Sequence, residues 1–162
     1  MAKIIIRFAA PSDAQRLVND GVLGGTPPPG STWPDRAKKW LVEQQAGRRL
    51  MLVAEDEKGM VGTVQIVFKL PEGYSDPEAA NGIDVAMIEM LRTRKGAPQG
   101  VSEQLMGAIQ DVAHKRNVKT LTFCLPMEET RAIAQVKSWG FDEFRIMPEK
   151  RGMIAFFRKA VD

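Results

Sequence analysis

One cysteine, one histidine and one tyrosine occur in 162 residues, and each scarcity closes a route. A lone Cys124 cannot make an intrachain disulfide, so the fold must be held by its core, and a cytoplasmic location is expected. With His114 as the only histidine, no zinc-ligand spacing exists, and no metal is expected. No apolar run approaches the roughly 20 residues of a membrane-crossing helix, and Ile4–Ile6 is far too short for a signal-peptide core. A soluble chain with no membrane partner is therefore expected. Basic residues are dispersed apart from Arg92–Lys95 and Glu149–Arg151, and zinc-finger and RNA-recognition patterns are missing, which argues against a nucleic-acid partner. Internal repeats and low-complexity tails are missing too.

The chain does have the balance of a core-forming protein, 44% hydrophobic and 27% charged, and residues 1–162 read as a single domain. A net charge of +3 with a pI near 9.1 suits a polyanionic cofactor about as well as weak nonspecific attraction, so charge alone decides nothing.

Ile4–Phe8 reads as a strand, and Pro11-Ser12-Asp13 starts a helix carrying Ala14, Leu17, Val18 and Val22 at helical spacing. Gly24–Pro34, with three consecutive prolines, cannot continue a helix and reads as a surface loop. Asp35–Ala46 reads as a second helix before Gly47. Arg49–Asp56 and Met60–Phe68, joined by Glu57, Lys58 and Gly59, read as an antiparallel hairpin. Leu70–Gly82 is a long polar connection to a strand over Ile83–Leu91. A helix from Val101 presents Leu105, Ala108, Ile109, Val112 and Ala113 as one stripe and ends near Asn117. Val118–Leu125 (strand), Glu128–Ser138 (helix), Phe144–Met147 and Met153–Phe157 (strands) complete the chain. The expected class is α/β (α+β): a mixed sheet in which an antiparallel meander leads to one β-α-β crossover.

The segment Ile88–Met106 (IEMLRTRKGAPQGVSEQLM) carries the chemistry. A strand runs into a basic loop and then a helix, so Arg92, Arg94 and Lys95, ahead of the first-turn amides of Gly100, Val101 and Ser102, form an anion cradle. A solvated basic turn capping an ordinary helix reads the same residues equally well.

The element order, Leu52–Asp56 followed by Val61–Gln65, the strand-loop-helix around Gly100, and Trp139-Gly140-Phe141 together resemble the GCN5-related N-acetyltransferase superfamily over nearly the whole chain. VAEDEKGMVGTVQIV and LRTRKGAPQGVSEQLM are most similar to its tabtoxin-resistance type of small-molecule acetyltransferase. The resemblance implies acetyl-coenzyme A as cofactor. It places Met90, Leu91 and Arg92 along the pantetheine arm, and Gln99, Gly100, Val101 and Ser102 at the pyrophosphate. The family's loop begins with a polar residue where this chain has Ala97, and Pro98 cannot donate an amide. Arg94 or Lys95 would substitute. The tyrosine that often protonates the departing thiolate is replaced by Val136, an early-helix asparagine by Glu129, and the one tyrosine, Tyr74, lies in the long loop.

Acetyl transfer needs a neutral amine and a donor for the developing oxyanion. The amide of Leu91 or Arg92 is the implied donor, and Glu89, within an apolar strand, is the candidate base. Glu89 reads alternatively as the outward polar member of an alternating strand. Trp33, Gln65 and Asp84 are candidate contacts to a small-molecule amine, against core, strand-pairing and turn roles. Cys124 reads as a buried small hydrophobe and His114 as a helix C-terminal residue complementing the dipole. A catalytically weak or inactive acyl-coenzyme A-binding module and a protein or peptide N-acetyltransferase are the competing readings. Exposed sheet edges would favour a homodimer.

Overall fold

The computed structural model describes residues 3–25, 27, 30–71, 73–150 and 152–161. Thr26, Pro28 and Pro29 of the proline loop, Glu72 of the long connection and Arg151 of the second basic cluster lie outside the described residues. Two compact units are present: residues 1–66 with 90–112, and residues 67–89 with 113–162. Among the described residues, strands β1 (Ile5–Phe8), β2 (Arg49–Asp56), β3 (Gly59–Val67), β4 (Val85–Thr93), β5 (Thr120–Pro126), β6 (Asp142–Glu149) and β7 (Gly152–Ala160) are ordered β1-β2-β3-β4-β5-β7-β6. The helices are α1 (Asp13–Asn19), α2 (Trp33–Gln45), α3 (Val101–Lys115) and α4 (Thr130–Ser138). The expected mixed sheet with a β-α-β crossover is the architecture observed, β4 and β5 being the parallel pair.

In the first unit, β1 pairs antiparallel with β2, from Ile5 opposite Glu55 to Phe8 opposite Leu52. Helix α1 is shorter than the apolar spacing implied. It ends at Asn19, and Gly21, at φ 81°, turns the chain so that the Val22 and Leu23 amides close onto the Leu17 carbonyl. Val22 is buried from outside the helix. Helix α2 begins at Trp33 rather than Asp35. Thr32 is extended and its hydroxyl accepts the Asp35 amide at 3.3 Å, while Pro34 sits in the first turn, where a missing N–H costs nothing. Leu17, Trp33, Ala37, Trp40, Met51, Val53 and Met60 form this unit's core, with Met90 packed against it.

The second unit is built around β5. Val85–Ile88 of β4 run parallel to Thr120–Phe123, and β7 pairs antiparallel with β5 along its whole length. Strands β6 and β7 form a hairpin longer than the two short runs expected, with a bulge between Glu143 and Arg145. Strand β4 starts at Val85, not Ile83, because the Asn81 side-chain oxygen accepts the amides of Ile83, Asp84 and Val85 and holds them in a turn. Likewise β5 starts at Thr120, since Asn117 takes φ 59° to end α3, and α4 starts at Thr130 after a turn from Pro126. Val67, Ala79, Ala80, Met87 and Phe156 form the core here.

Candidate functional site

Met90 is where β4 departs from a regular strand. Its φ of 55° is a conformation that L-residues avoid, and such a residue is held there only by surrounding structure. The registered pairs of β4 with β5 end at Ile88 opposite Phe123, although β4 itself continues to Thr93. Beyond Met90, Leu91 is half-buried and Arg92 exposed, and the Arg92 guanidinium lies 5.2 Å from the centre of the Trp33 ring. That cation–π contact fixes the direction of an otherwise mobile charge. Trp33 is itself buried and donates its indole N–H to the Gly25 carbonyl at 3.4 Å.

The basic loop follows. The Arg94 amide donates to the Val61 carbonyl at 3.0 Å, and the Ala97 amide closes a turn onto Arg94. The Arg94 guanidinium lies 3.7 Å from the Asp56 carboxylate, and its Nε is buried with no hydrogen-bond partner among the described residues. Lys95 and Gln99 are exposed. Gly100, at φ 90°, caps α3: its carbonyl accepts the Gln104 amide at 3.0 Å, so the amides of Val101, Ser102 and Glu103 begin the helix. Open space surrounds the Gly100 Cα, where an added Cβ would meet nothing within 4 Å.

A residue not singled out from the sequence holds this helix in place. A Cβ on Gly62 of β3 would stand 3.0 Å from Val101 Cγ1 and Leu105 Cδ1 and 3.2 Å from the Arg92 carbonyl oxygen. Only glycine lets the first turn of α3 and the end of β4 come so close to β3. Its one legible trace was its position in the Val61–Gln65 pattern.

Other expected site residues are placed as follows. Glu89 is half-buried on β4. Gln65 is fully buried; its side-chain oxygen accepts Arg49 Nη1, and its Nε2 has no hydrogen-bond partner among the described residues. Arg49 is in turn ion-paired with Glu43. Asp84 accepts the Asn81 side-chain amide at 2.8 Å, and its carbonyl accepts the amides of Lys119 and Thr120. Met90, Leu91, Arg92, Arg94, Lys95, Gln99, Gly100, Val101 and Ser102 are thus gathered in the first unit with Trp33 and Gln65, whereas Glu89 and Asp84 belong to the second.

Cys124 is partly buried beside Phe156, and burial, with the fields of Glu89, Glu149 and Asp76, pushes its thiol up to about 11. Val136 is buried within α4. Among the described residues no group of three or more His, Cys, Asp or Glu is placed to hold a metal, and no helix is long and apolar enough to cross a membrane.

No protein-family model matches the sequence, and no curated protein matches it. Solved structures do share the fold. The ribosomal-protein-alanine N-acetyltransferase of Brucella melitensis is similar at a TM-score of 0.73 and 20% identity, covering 96% of this chain and 99% of its own. YncA of Salmonella typhimurium, described as an acetyltransferase and solved with its cofactor acetyl-CoA, gives 0.71 and 17%, covering 98% and 94%. A spermidine N-acetyltransferase chimera, SpeG of Vibrio cholerae with hSSAT, gives 0.74 and 12%, covering 97% and 95%. The chain therefore has the fold of the GCN5-related acetyltransferases.

Proposed function

We propose that the chain is an acyl-coenzyme A-dependent N-acetyltransferase of the GCN5-related superfamily, acting on the amine of a small molecule. The observation that carries this reading is the left-handed backbone at Met90, φ 55°, leading within one unit through a basic loop to the first turn of α3, packed close over Gly62. The open space at Gly100 and the unpartnered Nε of Arg94 fit a diphosphate-bearing cofactor.

Backbone groups of Met90, Leu91 and Arg92 take the pantetheine arm. The amides of Gly100, Val101 and Ser102, with Arg94, Lys95 and Gln99, take the pyrophosphate. The cofactor supplies an acetyl group activated as a thioester. The amide of Leu91 or Arg92 donates to the acyl oxygen as negative charge develops there. Glu89 accepts the proton of the acceptor ammonium, directly or through a water. With acetyl-coenzyme A bound, the amine nitrogen would form the new C–N bond as the C–S bond breaks, and the proton that the nitrogen then loses would pass through a water to the departing thiolate, since Val136 stands where a tyrosine would donate. Trp33 acts by positioning Arg92. Gln65, already bonded to Arg49, acts as an acceptor contact of the first unit rather than reacting, and Asp84, in the second, is held in its turn by Asn81.

Among acetyltransferases, the patterns around Gly62 and Gly100 favour the tabtoxin-resistance type. The single reduced thiol favours the cytoplasm, and the open edges of β1 and β6 favour a homodimer. One observation favours a second reading, a binding module without turnover: buried Val136 offers no proton to a leaving group. Calorimetry with acetyl-coenzyme A tests the proposal. Saturable binding at micromolar cofactor is expected, and none at millimolar cofactor overturns it. Thioester consumption with a panel of amines then separates enzyme from module.

A further inference from the structure

The long connection of the second unit closes on itself, the Gly82 amide donating to the Phe68 carbonyl at 2.9 Å, and residues between these two line an open cavity of about 240 Å³. Leu70, Pro77 and Ala80 give the cavity apolar surface, and Leu70 and Ala80 are also part of the packing around Val67 and Phe156. Lys69, Tyr74 and Asp76 line it as well, with Tyr74 74% exposed.

Its walls are already fixed. The Asp76 carboxylate accepts Nη1 and Nη2 of Arg145, and the Asp76 carbonyl accepts the amides of Ala79 and Ala80 at 2.9 and 3.0 Å. On the other side Asn81 is held in its turn with Ile83, Asp84 and Val85. The Lys69 stem lies across Gly82, where a Cβ would stand 3.2 Å from Lys69 Cε and 3.3 Å from its Cγ. A cavity bonded in this way, with its lysine already bedded on a glycine, has little left to order when a ligand arrives.

The charge left over is positive. Asp76 is matched by Arg145, which also donates to Glu78 at 2.8 Å, and Asp84 receives the Asn81 side-chain amide at 2.8 Å. Lys69 makes no ion pair among the described residues. The Arg116 guanidinium, 5.0 Å from the centre of the adjoining Phe68 ring, adds a second cation nearby.

We infer that this cavity binds a small aromatic carboxylate, its ring against Pro77, Ala80 and Tyr74 and its carboxylate against the Lys69 ammonium. The volume holds a single ring rather than a drug-sized ligand, for which cavities run to roughly 300–1,000 Å³. An uncharged analogue would leave Lys69 unanswered. The site needs no cofactor and no residue of the first unit, so it stands apart from the acetyltransfer reading.

The probes are sodium benzoate, benzamide and sodium acetate, titrated calorimetrically into the purified chain. Benzoate should bind saturably at about millimolar concentration, as suits so small a ligand. Benzamide, with the ring and no charge, and acetate, with the charge and no ring, should each bind at least about fivefold more weakly. Lys69→Met, at an exposed position, should weaken benzoate about fivefold, whereas Lys39→Met, which removes the same charge from an exposed position on α2, should leave it unchanged. Tyr74 is the chain's one tyrosine, so its ring resonances report on this cavity, and benzoate should shift them. No saturable benzoate binding, benzamide binding as tightly as benzoate, or an affinity that Lys69→Met does not lower overturns the inference. So do an equal loss in Lys39→Met, which would leave net charge as the sole attraction, and Tyr74 resonances that stay in place at saturating benzoate.

Discussion

The α-carbon of Gly62 faces Val101 so closely that a methyl group on it would stand 3.0 Å from Val101 Cγ1. Seating the start of α3 on β3 thus depends on one missing side chain. Gly62→Ala is expected to destabilise the fold by about 1–3 kcal/mol through overpacking. By shifting the first-turn amides it should also weaken acetyl-coenzyme A by about tenfold. Gly107→Ala, in α3 with open space at its Cα, is the control and should stabilise by up to about 1 kcal/mol. Chemical denaturation and calorimetry of both variants measure these effects.

Glu89→Gln separates chemistry from binding. The amide keeps the size and cannot take a proton, so kcat is expected to fall about 10²–10⁴-fold while acetyl-coenzyme A affinity stays as it was. A variant with undiminished kcat would remove Glu89 from the mechanism.

Acid should loosen the first unit through its charge network. Arg7 donates to Asp13 at 2.6 and 2.9 Å and to Glu55 at 2.8 Å, and Arg16 reaches the same two carboxylates. These guanidinium contacts, those of Arg7 foremost, hold both carboxyls below their ordinary values of 3.8 and 4.5. The folded state binds its protons less readily than the unfolded chain, so the stabilisation is present above those values and is lost as pH falls through the folded ones. Urea midpoints should be flat above pH 5 or so and fall below about pH 4.5, and Asp13→Asn should flatten that fall. The same variant costs about 2 kcal/mol at neutral pH, below the ~3–5 kcal/mol of a fully buried broken pair, because 34% of the Arg7 side chain is exposed.

Cys124 should be a slow thiol. With its ionisation raised from an ordinary 9.0 to about 11, thiolate at neutral pH is about a hundredfold scarcer, and alkylation should slow by a similar factor. The pH profile of iodoacetamide labelling checks it; a half-maximal rate near pH 9 would contradict the buried, acid-rich surroundings described for this residue.

The hairpin of β2 and β3, the crossover helix and the last two strands were legible because apolar periodicity and Gly or Asn punctuation agree there. Helix α2 was misjudged at its start, since Pro34 reads as a breaker until Thr32 is recognised as the cap that makes a first-turn proline harmless. The anion-cradle candidates Arg92, Arg94, Lys95 and Gly100–Ser102 could be named from the strand-loop-helix order, and Met90, Leu91 and Gln99 only through the family resemblance. The positive φ at Met90 could not, because methionine carries no sign of a left-handed backbone and tertiary packing imposes it. Gln65 shows the converse: it read as a substrate contact or a paired polar strand residue, and only the structure reveals the buried Arg49 from which it accepts.

Asn81 has a consequence for the long connection preceding it. By gathering three successive amides onto one oxygen while donating to Asp84, it sets where β4 begins independently of the residues upstream. Insertions or deletions near Tyr74 would therefore leave that strand's alignment with its partner untouched. This exposed connection can thus vary in length and sequence while the strand it leads into keeps its place.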